Sequence, residues 1–245
     1  MAKRKKVNET GDMKILGEFR RLLDLIAADP LYNHGSGDLK LTNLEAVLTD
    51  SKAAVSDIDV KMAPNKVAIN ARQQSYKEAI SMMRGSRSYL KSSGASAAII
   101  ADADTFAQKA LGVRISKKKL DDPNTPENEA LENHSASQLS YDAILGHFRG
   151  YVEIVKNEPL YTPTETKFKV ATLDAKGDEL ETRNNAVSAT FVPLSQAYGM
   201  RDEKLYTGEK CLCNLAKRIK EYVKGVHGAT SQFYKTVNAL SFRRK

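Results

Sequence analysis

The sequence predicts an all-α protein made of two tandem, sequence-related helical bundles. Apolar residues recur at three- and four-residue steps, which is the period of an amphipathic helix. Glycine (14) and proline (7) are scarce among the 245 residues, which disfavours a turn-rich β-sandwich or barrel. An offset of 129 residues gives 11 identities over positions 19–72. Average composition gives about 6% identity by chance, roughly three matches, so an internal duplication is predicted.

The first helix of each half is predicted over 12–29 and 138–157. Pro30 and Pro159 follow, and the residue before a proline disfavours the α region, so each helix should end there. The apolar positions that define the two helices are Ile15, Phe19, Leu22, Leu23 and Ile26 in the first half, and Tyr141, Ile144, Phe148, Tyr151, Val152 and Val155 in the second.

The second helix of the first half is predicted to open at Thr42-Asn43-Leu44-Glu45, which has the spacing of a capping box. Its counterpart should run from about Val170 to Thr190. Pro64 and Pro193 then occupy matching places. Each proline either begins a third helix, where its missing N–H is not needed, or lies within one long helix and kinks it.

Each half is predicted to close with further helices. Segments 65–84 and 194–206 keep the helical pattern, and a Tyr-x-Lys segment follows at 89–91 and at 222–224. A Gly-Ala-Ser or Gly-Ala-Thr break comes next, with Ser96 and Thr230 as expected N-caps of a last helix. Strand-like alternation occurs only at 167–172.

The predicted organisation has four parts. A basic tail covers 1–11, and the first helical unit covers 12–112. A charged linker covers 113–135, where turn-forming residues interrupt the apolar periodicity. The second helical unit covers 136–245 and ends in a basic tail. Two separate bundles, or two halves packed into one larger bundle, both fit this pattern.

Positive charge is concentrated in three clusters. The formal net charge of +8 falls to −2 when their ten side chains are left out. Flexible basic tails suit phosphate attraction without sequence readout, so nucleic acid or a ribosome is one predicted partner. Tails that only maintain solubility are the alternative. The ten candidate nucleic-acid-binding residues are Lys3, Arg4, Lys5, Lys6, Lys117, Lys118, Lys119, Arg243, Arg244 and Lys245.

The sequence favours a cytoplasmic protein. No apolar run approaches the 18 residues of a membrane span, and no apolar segment follows the basic N-terminus to make a signal peptide. A basic amphipathic stretch that would bind a membrane surface is not evident. Cys211 and Cys213 form no disulfide framework.

Motifs for catalysis or metal binding are not found, so we expect no enzyme, no cofactor and no metal. The four histidines, His34, His134, His147 and His227, have no histidine or cysteine three or four residues away. Cys211 and Cys213 would lie about 200° apart on a helix, so small buried or surface thiols are expected. Nucleophile-elbow and zinc-protease motifs are missing from the sequence.

The repeated residues are the better candidates for a site. Pro-Leu-Tyr occurs at 30–32 and again at 159–161, and Arg72 matches Arg201. The tyrosines either pack over the end of the first helix or present paired aromatic contacts to a partner. The candidate partner-binding residues are therefore Tyr32, Tyr161, Arg72 and Arg201, although each arginine is also suited to a hydrogen bond or ion pair within its bundle.

The C-terminal stretch is distinctive. It reads Tyr-Val-Lys from 222, Gly-Ala-Thr-Ser from 228, Tyr-Lys from 234 and Phe-x-Arg from 242. With the second Pro-Leu-Tyr, this pattern resembles a family of uncharacterised bacterial all-helical proteins of similar length. The resemblance implies a bacterial, cytosolic, all-helical protein and transfers no catalytic residue.

The function predicted from these observations is a non-enzymatic structural or interaction module. A duplication gives one chain two similar faces, which suits bridging a protein partner or self-association. The alternative is an accessory protein that contacts DNA, RNA or a ribosome through its basic tails.

Overall fold

The computed structural model describes residues 11–112 and 139–242, and within these ranges the chain is helical and contains no strand. The all-α prediction is therefore confirmed. The α-helices, in chain order, are α1 (Asp12–Ala27), α2 (Leu41–Ser92), α3 (Ala97–Ala110), α4 (Tyr141–Lys156), α5 (Val170–Asp202), α6 (Leu212–His227) and α7 (Gln232–Ala239).

Three short turns complete the described elements. Two are 3-10 turns at Gly37–Leu39 and Thr166–Phe168, and the third is a π-helical turn at Glu203–Thr207. The second 3-10 turn lies where the sequence suggested a strand at 167–172, so that prediction is wrong. Alternation over so few residues does not distinguish a strand from the turn that precedes a helix.

The prolines lie inside long helices. Pro64 is within the 52-residue α2, and Pro193 is within the 33-residue α5. The alternative in which each proline begins a third helix is therefore wrong. Helix α2 starts at Leu41, so Thr42 lies inside it and is not its N-cap. The three-residue spacing of a capping box also occurs by chance within a helix.

The ends of several helices follow from local chemistry. The side chain of Ser140 accepts the N–H of Ala143 at the start of α4, and Ser96 accepts the N–H of Ile99 at the start of α3. The Ser96 cap is as predicted. In the second half the cap is Ser231, one residue after the predicted Thr230, and it accepts the N–H of Tyr234.

The chain forms two compact units, each with its own core. The first unit comprises Met1–Asn65 and Thr190–Lys245. Its core combines α1 with the beginning of α2, and with α6 and the residues around α7. Its largest fully buried side chains include Phe19, Leu22 and Leu44.

The second unit comprises Lys66–Ala189. Its core combines α4 and the beginning of α5 with the end of α2 and with α3. Phe148, Tyr151 and Leu173 are among its fully buried side chains. Each unit therefore takes its first helices from one half of the sequence and its last helices from the other. The basic tail at 1–10 and the linker at 113–135 lie outside the described residues.

Element bounds repeat along the chain with the offset of the sequence identities. Helices α1 and α4 both have 16 residues, and their first residues, Asp12 and Tyr141, are 129 apart. The same offset separates the two 3-10 turns and the starts of α2 and α5. The regularity ends after Arg201, where the second half has four extra residues. A π-helical turn and a break at Gly208 occupy this part of the chain, whereas α2 continues unbroken.

Candidate interaction surfaces

The Pro-Leu-Tyr of the first unit belongs to a tightly bonded corner, which we define as residues 29–40. The hydroxyl of Tyr32 donates to the carbonyl of Leu39 at 2.9 Å, and its ring meets Tyr222 of α6 edge-on at a centroid distance of 5.3 Å. Burial, and secondarily Tyr222, raises the pKa of Tyr32 to about 12. An Asp29 carboxylate oxygen accepts the N–H of Leu31 at 3.1 Å.

The second unit contains the same arrangement in the corner at 158–169. The hydroxyl of Tyr161 donates to the carbonyl of Phe168 at 2.8 Å, and its ring meets Tyr89 edge-on at 5.4 Å. A Glu158 carboxylate oxygen accepts the N–H of Leu160 at 3.0 Å. Each corner therefore has the same three interactions at matching positions.

The two tyrosine side chains pack beneath the corners and stabilise them by hydrogen bonds. Tyr161 is only 5% exposed, and Tyr32 is half-buried, with both hydroxyls bonded within their own unit. The leucines between proline and tyrosine are the exposed residues, at 56% for Leu31 and 50% for Leu160. Sequence reasoning selected the tyrosines and missed these leucines, although the repeated Pro-Leu-Tyr contained both.

The second corner has an additional buried polar cluster. The hydroxyl of Ser86 is bonded to that of Tyr151 at 2.6 Å and also to that of Tyr161. Burial raises the pKa of Tyr151 and of Tyr161 above the ordinary value, and so keeps both hydroxyls neutral. This cluster fixes the end of α2 to α4 and to the corner, and it is closed to solvent.

The two repeated arginines make contacts inside their units. The Arg72 guanidinium lies 3.9 Å from the ring centroid of Tyr141, at the start of α4. Arg201 pairs with Asp12 at the start of α1, and with Asp202 at 2.7 Å. Matching arginines therefore contact matching first residues of the two helices. Arg201 makes an ion pair, whereas Arg72 makes a ring contact, and in each case the partner residue comes from the other predicted helical unit. Partner binding by Arg72 and Arg201 stays a prediction.

The ten basic residues of the three charge clusters lie outside the described residues, so their predicted contact with nucleic acid stays a prediction. They are Lys3, Arg4, Lys5, Lys6, Lys117, Lys118, Lys119, Arg243, Arg244 and Lys245.

The histidines and cysteines of the described ranges occupy packed positions. His227 Nε2 lies 2.7 Å from an Asp29 carboxylate oxygen, and the ring of His34 meets Tyr222 at 4.7 Å. Cys211 and Cys213 are buried and free. Burial raises the pKa of the Cys213 thiol to about 11, which keeps the thiolate nucleophile scarce at neutral pH. Residues 11–112 and 139–242 contain no group of three or more ligand-type side chains that could hold a metal ion.

An open groove of about 760 Å³ lies between α1 and α7 in the first unit. The corresponding face of α4 in the second unit is covered, because α3 packs along it and Phe106 lies against Gly150. Arg21 stands at the position of that glycine in α1, and α7 has 8 residues where α3 has 14. Among the described residues, the longer side chain and the shorter helix therefore leave this groove open along α1.

A smaller pocket of about 330 Å³ lies between α4 and α5 in the second unit. Phe148, Val152 and Leu173 contribute its apolar lining, and Gly177 leaves it open. In the first unit the matching position is Leu48, which is buried in the core. The pocket therefore lies where the second half has glycine in place of the leucine side chain of the first half.

Comparison of the chain with protein-family models, curated proteins and solved structures gives no match. The resemblance to a family of uncharacterised bacterial helical proteins therefore stays a prediction. None of the helices in the described ranges has both the length and the apolar character that crossing a membrane requires.

Proposed function

We propose that this protein is a non-enzymatic interaction module, built from a duplicated helical unit, that presents two equivalent corners to a protein partner or to copies of itself. The observation that carries the proposal is the pair of corners at 29–40 and 158–169. Each is held by the same tyrosine hydroxyl bond, the same edge-on aromatic contact and the same carboxylate bond.

The corners have the properties that recognition needs. A leucine side chain is exposed at each tip, and the backbone beneath it is fixed by hydrogen bonds. A surface that is already ordered loses little conformational entropy on binding. Because each leucine is about half exposed, burying it contributes roughly 1 kcal/mol. Two leucines fixed in this way suit a partner with two sites, or two partner molecules.

A duplicated origin is supported by more than sequence identity. The offset of 129 recurs in the starts of three pairs of elements, and in the arginine contacts to the first residues of α1 and α4. An exchange of segments between two ancestral units accounts for the composition of the two compact units, since each combines helices from both halves.

The alternative function predicted from the charge clusters is contact with DNA, RNA or a ribosome. Its support is the concentration of ten positive charges in short segments of an otherwise nearly neutral chain. Binding to mixed nucleic acid should then fall steeply with salt and vanish when residues 1–6 and 243–245 are deleted. Absence of binding at low salt would leave solubility as the role of these segments.

Photo-crosslinking in the source cells tests the proposed function. A photoreactive amino acid replaces Leu31 in one variant and Leu160 in a second, with Met13 and Val67 as controls because they are at least as exposed. We expect covalent protein adducts at both corners and fewer at both controls. Adducts of one mass at the two corners would identify a shared partner. Adducts at neither corner, or at the controls equally, would contradict the proposal.

A further inference from the structure

One stretch of α5 has a surface that the fold leaves unexplained. Sequence positions 184–200 contain no charged residue, although α5 is a surface helix. The part within the first unit, 190–200, includes four large apolar side chains that are 37% to 56% exposed: Phe191, Val192, Tyr198 and Met200. We call residues 190–200 the uncharged stretch.

The buried side of the uncharged stretch is narrow. Leu194 and Ala197 form a small core with Ile58 of α2, and Met62 packs against it. Thr190 bonds to the side-chain oxygen of Asn65 at 3.1 Å. These contacts occupy one side of α5 and leave the rest of its circumference in solvent.

The exposed arc is continuous around the helix. Successive residues advance by about 100°, so Phe191 and Tyr198 lie together on one edge. Val192 and Gly199 lie opposite the buried side, and Met200 lies on the other edge. A solvent-facing helix surface ordinarily has charged residues on such an arc. At about half exposure, the four apolar side chains offer on the order of 350 Å² per copy, within the size of patches that mark interaction sites.

Gly199 is compatible with the close approach of a second helix. A Cβ added there would have no atom of the described residues within 4 Å, so none of them requires glycine at this position. Glycine in a helix interior costs about 1 kcal/mol relative to alanine. Ser195, one turn earlier, is also small and exposed. Small residues on a helix surface let another helix come near.

We infer that the uncharged stretch is the contact surface between two copies of this chain, with α5 crossing α5 of the second copy. A partner with charged residues would find no countercharge on this arc, whereas a second copy brings an equally uncharged surface. A two-fold contact places the same patch on both sides. The inference goes beyond the proposed function, because the uncharged stretch shares no residue with either corner.

The area indicates a reversible dimer. The apolar side chains supply roughly half of the 800 Å² per partner that a standard interface buries. Association should therefore be weak and concentration-dependent, because the cost of orienting the two copies and ordering their side chains is barely offset.

Analytical ultracentrifugation of the full chain, over a concentration series from about 1 to about 200 µM, tests the inference, because a weak dimer becomes populated only as the concentration rises. We expect a monomer–dimer equilibrium. Phe191→Lys and Val192→Lys should each weaken dimerisation at least about tenfold, because the two-fold contact brings the new charges together. Val226→Lys is the control, since Val226 is an exposed apolar residue on α6. Helical circular dichroism confirms that each variant is folded.

A glycine pair tests the geometry of the contact. Gly199→Ala should weaken the dimer several-fold if the helices approach closely. Gly17→Ala in α1 should leave it unchanged, because a Cβ at Gly17 also has open space around it. Monomer at every concentration, or a dimer that Phe191→Lys, Val192→Lys and Gly199→Ala all leave unchanged, would overturn the inference. Adducts at Leu31 and Leu160 in a purely monomeric protein would overturn it and leave the proposed function standing.

Discussion

Two glycines in α4 offer a matched test of how tightly α3 packs on α4. Gly146 and Gly150 lie one turn apart in the same 16-residue helix. A Cβ at Gly146 would have nothing within 4 Å, whereas a Cβ at Gly150 would lie 2.6 Å from Cδ1 and 3.0 Å from Cζ of Phe106. The same substitution by alanine therefore adds the same helix propensity at both positions, and adds a steric collision at only one.

The magnitude follows from these two terms. Alanine in place of a helical glycine stabilises by about 1 kcal/mol, so Gly146→Ala should raise the free energy of unfolding by that amount. Gly150→Ala gains the same term and loses about 1–3 kcal/mol to overpacking, because the Phe106 ring has to move. The free energies of unfolding of the two variants should therefore differ by about 1–3 kcal/mol, with Gly150→Ala the less stable.

Urea unfolding followed by circular dichroism measures this difference, and hydrogen exchange of α3 and α4 amides assigns it to the right helices. The control is the Phe106→Ala background. Removing the ring should let Gly150→Ala stabilise by as much as Gly146→Ala does. Equal stability of the two glycine variants in the wild-type background would refute the packing of Phe106 against Gly150.

Three further predictions concern buried polar groups, a small pocket and an ion pair. Tyr161→Phe should lower the free energy of unfolding by about 1–3 kcal/mol, because it removes the hydroxyl that buried polar partners are bonded to. Tyr32→Phe should lower it by less, because the Tyr32 hydroxyl makes one hydrogen bond in a half-buried site. Urea unfolding of both variants measures the difference. Gly177→Ala should stabilise by about 1 kcal/mol, because an added Cβ has no neighbour nearer than 3.6 Å, and a lower thermal midpoint would contradict this. The hydrogen bond from Arg87 holds the pKa of Asp104 below its ordinary value. The pair therefore stabilises the fold fully at pH values above the pKa of Asp104 in the unfolded chain, about 4. This stabilisation is lost as the pH falls through the lower pKa of the folded state. Asp104→Asn should remove that part of the acid dependence, which unfolding measured at several pH values below 5 would reveal.

Much of the fold could be predicted from sequence because helical periodicity is a local signal. Ser96 was recognised as a cap because its hydroxyl precedes a helix start, and α1 and α4 were recognised from their apolar stripes. Pro64 could not be assigned from sequence alone. A proline suits the start of a helix and is also tolerated within one when neighbouring packing offsets its missing hydrogen bond.

The grouping of the helices was beyond sequence reasoning. Tyr32 contacts Tyr222 and Tyr161 contacts Tyr89, so each half of the sequence supplies the partner for the other. No local sequence pattern shows which half supplies the partner helices, because the same apolar faces are buried whether the helices pack within one half or with the other half. The exposed leucines could not be identified for a related reason, because the sequence does not show which apolar residues the fold leaves at the surface.

Two corners that act as equivalent binding sites should give each chain two binding sites for the partner, which a measurement of stoichiometry detects. Native mass spectrometry of the full chain with the partner identified by crosslinking should detect two occupied sites per chain. Leu31→Arg and Leu160→Arg should each reduce this to one, and the double variant to none, while Val67→Arg leaves two. A stoichiometry that neither leucine variant changes, in variants that keep their helical circular dichroism, would contradict the claim.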